Sequence, residues 1–234
     1  MTEQFAARFE TLTTAHLADA CVREGVTVRC APAAVHGIRS ATRLAGRARP
    51  ATHVGSVDVF LEAIDSAAVG DVLVADNGGR LDESCIGDLL AAEAHSAGLA
   101  GIVIWGLHRD TVEVVEIGIP LFSMGSIPTG PLRVDARPGL ALDQARVGEW
   151  IVTRDDFVAA DDDGVVFLPF DKCADLFDTA EAIRDTEQRQ ALEIRDGGSL
   201  REQVRFADFL TARTSNPELT FREHLRAVGG EIEV

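Results

Sequence analysis

Apolar residues recur along this chain in two rhythms, one near 3.6 residues and one unbroken, and the switches between them outline the elements. Phe5, Phe9, Leu12, Leu17 and Cys21 fall at near-helical spacing across residues 3–24, and Gly25 ends the run. Thr13 and Thr14 offer a cap at which a second, shorter helix can begin. Residues 26–35 are short, apolar and interrupted by Pro32, and residues 40–48 read as a strand. The stretch from Gly55 to Gly106 is the most legible. Residues 57–67 predict a helix, 71–76 (DVLVAD) an apolar strand, Asn77-Gly78-Gly79 a turn, 84–96 a helix stopped by Gly98, and 101–105 (GIVIW) a second apolar strand. Strand, helix and strand of these lengths predict a right-handed βαβ unit with parallel strands. Unbroken apolar runs predict strands covered on both faces.

Further on, 111–116 reads as a short helix and 120–124 as a short strand. The pattern then changes to short β-like runs at 132–135, 140–142, 150–152, 157–160 and 165–168, divided by Gly, Pro and Asp turns. A long helix is expected over 171–195, with Gly197-Gly198 as its stop. A shorter helix around 201–213 and a last segment at 220–228 follow, before Gly229-Gly230. The one candidate linker is 195–199. The expected division is a main domain over 1–198 and a helical extension over 199–234 that packs on it or on a neighbouring subunit.

Composition narrows the function classes. The chain has 234 residues, 46% hydrophobic and 26% charged, as expected of a folded domain. Its 22 basic residues against 38 acidic ones give a net charge of −16 with no basic run, which argues against nucleic-acid binding. Residues 1–20 lack a basic start followed by an apolar block, so no signal peptide is expected, and no segment approaches a membrane span. A cytoplasmic location follows as an expectation. Cys21, Cys30, Cys85 and Cys173 form no C-x-x-C pair and read as small hydrophobes in a reducing compartment. The histidines show no ligand spacing, Gly78-Gly79 lacks G-x-G-x-x-G, and there is no Walker lysine. Asp161-Asp162-Asp163-Gly164 lacks the closing Glu of a calcium loop and reads as a hairpin turn. Ser123 and Ser126 have no nucleophile elbow.

The chemistry gathers at one predicted edge. The strand–turn–helix of residues 72–90 aims a helix start out of the carboxyl end of a parallel strand, where ligands of open α/β sheets bind. Helix starts leave backbone N–H groups open to an anion. Gly87 would let a ligand come close to the backbone, with Asp88, Leu89 and Leu90 in the early turns. The second strand delivers Gly106-Leu107-His108-Arg109-Asp110 to the same edge. An adjacent Arg–Asp pair is often a surface ion pair of little worth. Its position at a strand end, opposite a helix start, makes it a candidate site.

Asp88, twenty intervening residues and then Arg109-Asp110 match the D-x20-R-D signature of class II pyruvate aldolases. The resemblance is to the 4-hydroxy-4-methyl-2-oxoglutarate/4-carboxy-4-hydroxy-2-oxoadipate aldolase type, whose family also holds the RraA-like proteins. The segment from Gly70 to Gly79, Gly87-Asp88-Leu89-Leu90 with its later glycines, and "DDDGVVFLP" at 161–169 resemble further family segments in the same order. The closing "FREHLRAVGGEIE" is similar to the tail of longer members.

The resemblance implies an α/β fold, a layered α-β-β-α sandwich of the RraA-like (swivelling β/β/α) type. It also implies a trimer or dimer of trimers with active sites between subunits. It makes Asp110 the ligand of Mg²⁺ or Mn²⁺, Arg109 the substrate-contacting arginine, and Asp88 the acid that steadies water beside the metal. The amides of Leu89 and Leu90, next to Gly87, would hold the pyruvyl carboxylate. Glu187 is the candidate for an acid brought by the adjacent subunit's long helix. The implied activity is retro-aldol cleavage of a 4-hydroxy-2-oxo acid to pyruvate and a second carbonyl compound, with oxaloacetate decarboxylation as a related reaction. The alternatives are a non-catalytic regulator that binds a protein partner such as ribonuclease E, and a sensor that recognises a 2-oxo acid without turnover. Retention of Asp110 favours the enzyme. Two departures stand out. His108 occupies a position where many members carry a small apolar residue, and Arg154-Asp155-Asp156 replaces a Pro-Gly-Asp turn.

Overall fold

Alternation within the strands decides how the layers form. In the computed structural model, which describes residues 1–228, strand β3 (Val72–Asp76) sends Leu73 and Ala75 to one apolar cluster and Val72 and Val74 to another. Strand β5 (Gly101–Trp105) splits in the same way, with Ile102 and Ile104 against Val103. Both strands are therefore covered on both faces, which accounts for their unbroken apolar sequence. They pair in parallel, Val72 opposite Gly101 through Asp76 opposite Trp105.

They belong to a seven-stranded mixed sheet that curls on itself. It also contains β1 (His36–Gly37), β2 (Leu44–Thr52), β7 (Leu121–Ser123), β10 (Asp156–Asp161) and β11 (Gly164–Pro169), in the order β1-β7-β5-β3-β2-β10-β11. The run from β7 to β2 is parallel, while β10 and β11 form an antiparallel hairpin. The curl brings β1 at one edge into contact with β11 at the other. Its inner face is filled by Val72, Val74, Val103, Phe122, Val158, Val165 and Phe167. The hairpin of β8 (Gln144–Val147) and β9 (Trp150–Thr153) adds Ala145, Val147 and Val152 to that interior.

Helices close the two outer faces. On the parallel half lie α3 (Asp58–Asp65), α4 (Asp88–Ser96) and α5 (Thr111–Ile117), through Val59, Phe60, Ala91, Ala94 and Val114. On the antiparallel half lie α1 (Thr2–Phe9), α2 (Thr14–Arg23) and the long α6 (Cys173–Arg195), packed on Phe157, Ala159, Val166 and Leu168. Phe157 and Phe177 meet edge to face at 5.8 Å, and Phe5 joins them. The result is the layered α-β-β-α arrangement. Thr13 caps α2 in a reciprocal box with His16, so the first helical stretch breaks in two where the threonine pair allowed it. After Ile183, α6 has no buried residue among those described, and α7 (Leu200–Gln203), α8 (Phe206–Ser215) and α9 (Phe221–Val228) follow it. Gly229-Gly230 and the last residues of the family-like tail lie outside the described residues.

Several sequence expectations are corrected. Residues 84–96 are not one helix. Ser84–Ile86 form β4, Gly87 is extended, and α4 begins at Asp88. Residues 132–135 and 140–142 are loop and turn, while β8 was not expected. The strand expected at 40–48 runs instead from Leu44 to Thr52, through Pro50. Pro50 is tolerated because β10 pairs with β2 only as far as Arg47, so β2 has a single strand neighbour at the proline. Cys30 is exposed, unlike the other three cysteines. Among the described residues, no helix is long and apolar enough to cross a membrane.

Candidate functional site

A two-stranded parallel ladder builds the site. Strand β4 pairs with β6 (Leu107–His108), Ser84 opposite Leu107 and Ile86 opposite His108, and the Arg109 amide donates to Ile86 O at 3.0 Å. This ladder lies beyond the carboxyl ends of β3 and β5. It brings the start of α4 alongside Arg109 and Asp110.

At the junction the chains nearly touch. A Cβ built on Gly87 would overlap Asp110 Oδ2 and come within 3.2 Å of Arg109 Cγ and Nε. The Asp88 amide points at Asp110 Oδ2 from 3.4 Å, and Arg109 Nε lies 3.3 Å from the same oxygen. Both contacts are long, so this carboxylate is only loosely engaged. The side chains of Arg109 and Asp110 are 49% and 35% exposed. Asp110 itself adopts the left-handed conformation, φ 58° and ψ 43°, at the N-cap of α5. Aspartate tolerates that region better than most residues, but its persistence requires a surrounding structure that enforces it.

His108 is part of that enforcement. It is buried, with Nδ1 2.7 Å from Ser123 Oγ and Nε2 2.9 Å from Thr111 Oγ1. Ser123 Oγ also lies 3.2 Å from Gly125 O. One tautomer satisfies the whole chain: Thr111 donates to Nε2, Nδ1–H donates to Ser123, and Ser123 donates to Gly125 O. Burial pushes the His108 pKa below its ordinary value, which keeps the ring neutral. The imidazole thus ties the residue after Asp110 to the end of β7.

Gly87, Asp88, Leu89, Leu90 and Arg109 line a cleft of about 340 Å³. Strand β4, Pro131, Val57, Leu61 and Glu93 line the rest of it, and none of the last four stands out in the sequence as a site residue. They come from α3 and its N-cap, a loop and the next turn of α4, and no local motif links them. Leu89 is exposed, while Leu90 is buried. The Leu89 amide is already occupied in this state, since it donates to Asp88 Oδ1 at 2.8 Å. Gly130 sits against the arginine from the other side, where an added Cβ would be 3.1 Å from Arg109 Nη1.

Glu187 is not brought to this cluster within the protomer. It lies on α6, 3.0 Å from His16 Nε2 on α2. Among the described residues, no three His, Cys, Asp or Glu side chains converge as a preformed metal cage. The donors beside Gly87 are instead the carboxylates of Asp88 and Asp110. Carboxylate oxygens suit Mg²⁺ or Mn²⁺, and Mg²⁺ keeps several waters and binds through one or two carboxylates. A part-exposed, loosely held Asp110 carboxylate fits such an ion.

Fold and site together define an α/β protein with a cleft beyond the carboxyl edge of its parallel strands, bordered by the guanidinium of Arg109 and the carboxylate of Asp88, with Asp110 against Gly87. The chain belongs to the RraA-like family (Aldolase/RraA), which matches residues 14–167. It is similar to the 4-hydroxy-4-methyl-2-oxoglutarate aldolase of Thermus thermophilus, 31% identical over 130 residues that cover 53% of this chain and 78% of that protein. A relative from Alcanivorax borkumensis is 31% identical over 108 residues, and the match spans 66% of its length. The chain thus spans just under two thirds of that relative, and 23% of protein DlpA of Legionella pneumophila. Among solved structures, Streptomyces coelicolor RraAS2, of the RNase ES inhibitor RraA protein family, superposes with a TM-score of 0.70 at 25% identity, covering 79% of this chain and 94% of RraAS2. A Pseudomonas syringae protein superposes with a TM-score of 0.75 at 26% identity, covering 86% and 97%.

Proposed function

We propose that this protein is a divalent-metal-dependent lyase that cleaves a 4-hydroxy-2-oxo acid to pyruvate and a second carbonyl compound. The observation that carries the reading is the convergence of Asp88, Arg109 and Asp110 around Gly87, at the mouth of a cleft. Similarity to a protein named as an aldolase supports the same reaction class. Asp110, with Asp88 close by, would hold Mg²⁺ or Mn²⁺. Bound there, the ion supplies Lewis-acid stabilisation of charge on the 2-oxo oxygen.

The chain's own groups do the rest. The substrate carboxylate binds at the start of α4, on the amides of Leu89 and Leu90, where the helix leaves N–H groups open. Taking the Leu89 amide releases Asp88 Oδ1 from its present bond. Asp88 is then free to hold the water that receives the C4 hydroxyl proton. As that proton leaves, C4 becomes a carbonyl and the C3–C4 bond breaks. The electron pair passes into the C2–C3 enolate, which is protonated at C3 to give pyruvate. Arg109 places positive charge beside the developing enolate oxygen. Oxaloacetate decarboxylation generates the same enolate and is open to the same groups. Glu187 is proposed to act on a neighbouring protomer's cleft, in a trimer or dimer of trimers.

The test is direct. Purified protein with Mg²⁺ or Mn²⁺ is offered 4-hydroxy-2-oxopentanoate and oxaloacetate, and pyruvate is followed. Release that EDTA stops and Asp110→Ala abolishes is the expected result. No pyruvate from either compound would overturn the reading in favour of a regulator or a non-catalytic sensor.

A further inference from the structure

Walls, more than bonds, decide where Arg109 points within the protomer. Among the described residues its one ion pair is the long Nε contact to Asp110. Gly87 lies against one side of the side chain and Gly130 against the other. Gly130 belongs to residues 127–138, which contain no helix or strand, so its place depends on how that segment is tied down. Two ties flank it. Before Gly130, Thr129 O accepts from the amide and the hydroxyl of buried Ser84, at 2.8 and 3.0 Å. After it comes Arg133, part-buried between exposed Leu132 and Val134. Arg133 Nε donates to Glu83 Oε1 at 3.1 Å and Nη2 donates to Asn77 Oδ1 at 3.3 Å. Glu83 is buried, and a buried carboxylate is costly unless it is paired in this way. Glu83 and Ser84 stand at the entry to β4, and Gly87 follows its exit. One short strand thus sets Gly87 on one side of Arg109 and, through the two ties, Gly130 on the other.

We infer that Glu83 and Arg133 are positioning residues for Arg109: their ion pair holds the 127–138 segment against the guanidinium and fixes how it faces the cleft. Neither residue lines the cleft, so both act through the arginine. The inference rests on the lyase reading for its turnover arm, and a binding arm separates the two. Arg133→Met removes the anchoring charge. The double variant Glu83→Met/Arg133→Met removes both partners, so that no buried charge is left unpaired if the single variant folds poorly. Arg49→Met is the control. The Arg49–Asp71 pair has side chains 21% and 4% exposed, against 22% and 5% for Arg133–Glu83, but lies at the amino end of β3, away from the cleft.

In the turnover arm, pyruvate release from 4-hydroxy-2-oxopentanoate is measured on folded protein. Both anchor variants should lose about 10-fold in kcat/KM, less than the roughly 10²-fold of a 1 Å misplacement because the Ser84 tie remains. Arg49→Met should lose stability and keep kcat/KM. Arg133→Lys, which returns a charge to Glu83, should recover part of the loss. In an Arg109→Lys background, Arg133→Met should cost about two-fold or less, since residues that act through one group are not additive. In the binding arm, calorimetry of pyruvate with Mn²⁺ should show the same pattern in affinity. Equal losses in the two backgrounds, or wild-type values in both anchor variants, overturn the inference. The binding pattern without pyruvate release by wild type would sink the lyase reading while upholding this one. No pyruvate binding by wild type would end both.

Discussion

Gly87→Ala isolates the geometry on which the proposed chemistry depends. The backbone at Gly87, φ −130° and ψ −165°, is accessible to alanine, so the substitution introduces no conformational strain. The new methyl would overlap Asp110 Oδ2, and the neighbouring Arg109 atoms at 3.2 Å leave it little room to slip aside. The carboxylate must therefore retreat from the Asp88 amide. Clearing the overlap takes roughly 1 Å, and a misplacement of that size in a reacting constellation costs about 10²-fold in rate. That corresponds to about 2.7 kcal/mol of lost transition-state stabilisation. The folding cost is far smaller, since alanine at an N-cap in place of glycine loses about 0.5–1 kcal/mol. Pyruvate release coupled to lactate dehydrogenase gives kcat/KM, and urea unfolding gives stability. Activity within about three-fold of wild type, a factor worth under about 0.7 kcal/mol, would refute the reasoning by showing that the Asp110 position is immaterial.

Arg109→Lys should reduce kcat/KM by about 10²-fold with an unchanged circular dichroism spectrum, because a point charge cannot reproduce a planar fork aimed at an oxyanion. Unimpaired turnover would remove Arg109 from the proposed chemistry. Stability should respond to pH through two buried histidines. Burial holds the pKa of both His53 and His108 below the ordinary value, so the unfolded chain takes up their protons first as pH falls. Their contribution is complete above about pH 6.5 and is lost below it, at up to about 1.4 kcal/mol per pH unit for each histidine. Urea midpoints should fall on acidification through that window, and His108→Asn should flatten the dependence. A midpoint that rises on acidification would contradict the assigned protonation states.

Much of the fold was legible because its central strands are covered on both faces. The runs 72–76 and 101–105 could be little else, and their parallel pairing brought Asp88 and the Arg109–Asp110 turn to one edge. What escaped was local structure decided by distant partners. Ser84-Cys85-Ile86 is buried at all three positions and too short for its period to separate strand from helix, so it was read into α4. Its strand character comes from β6, which the sequence does not announce. Gln144–Val147 is a strand because β9 pairs with it, although its polar residues obscure the pattern. The strand expected at 40–48 stopped short of Pro50, whose tolerance within β2 depends on how far β10 extends. The site shows the same division. Its charged residues could be read from spacing, whereas the apolar wall of Val57, Leu61 and Pro131 required the packing of α3 and a loop against α4. The bracing of the left-handed Asp110 by His108 likewise depends on Ser123 of β7, fifteen residues beyond the histidine.

A hard cation held beside Gly87 is central to the proposed chemistry, and Mn²⁺ binding followed by electron paramagnetic resonance tests for it without turnover. Wild-type protein should bind one Mn²⁺ per protomer, with a spectrum that changes on adding pyruvate, and Asp110→Ala should leave the ion free in solution. Equal Mn²⁺ binding by Asp110→Ala, or a spectrum indifferent to pyruvate, would contradict it.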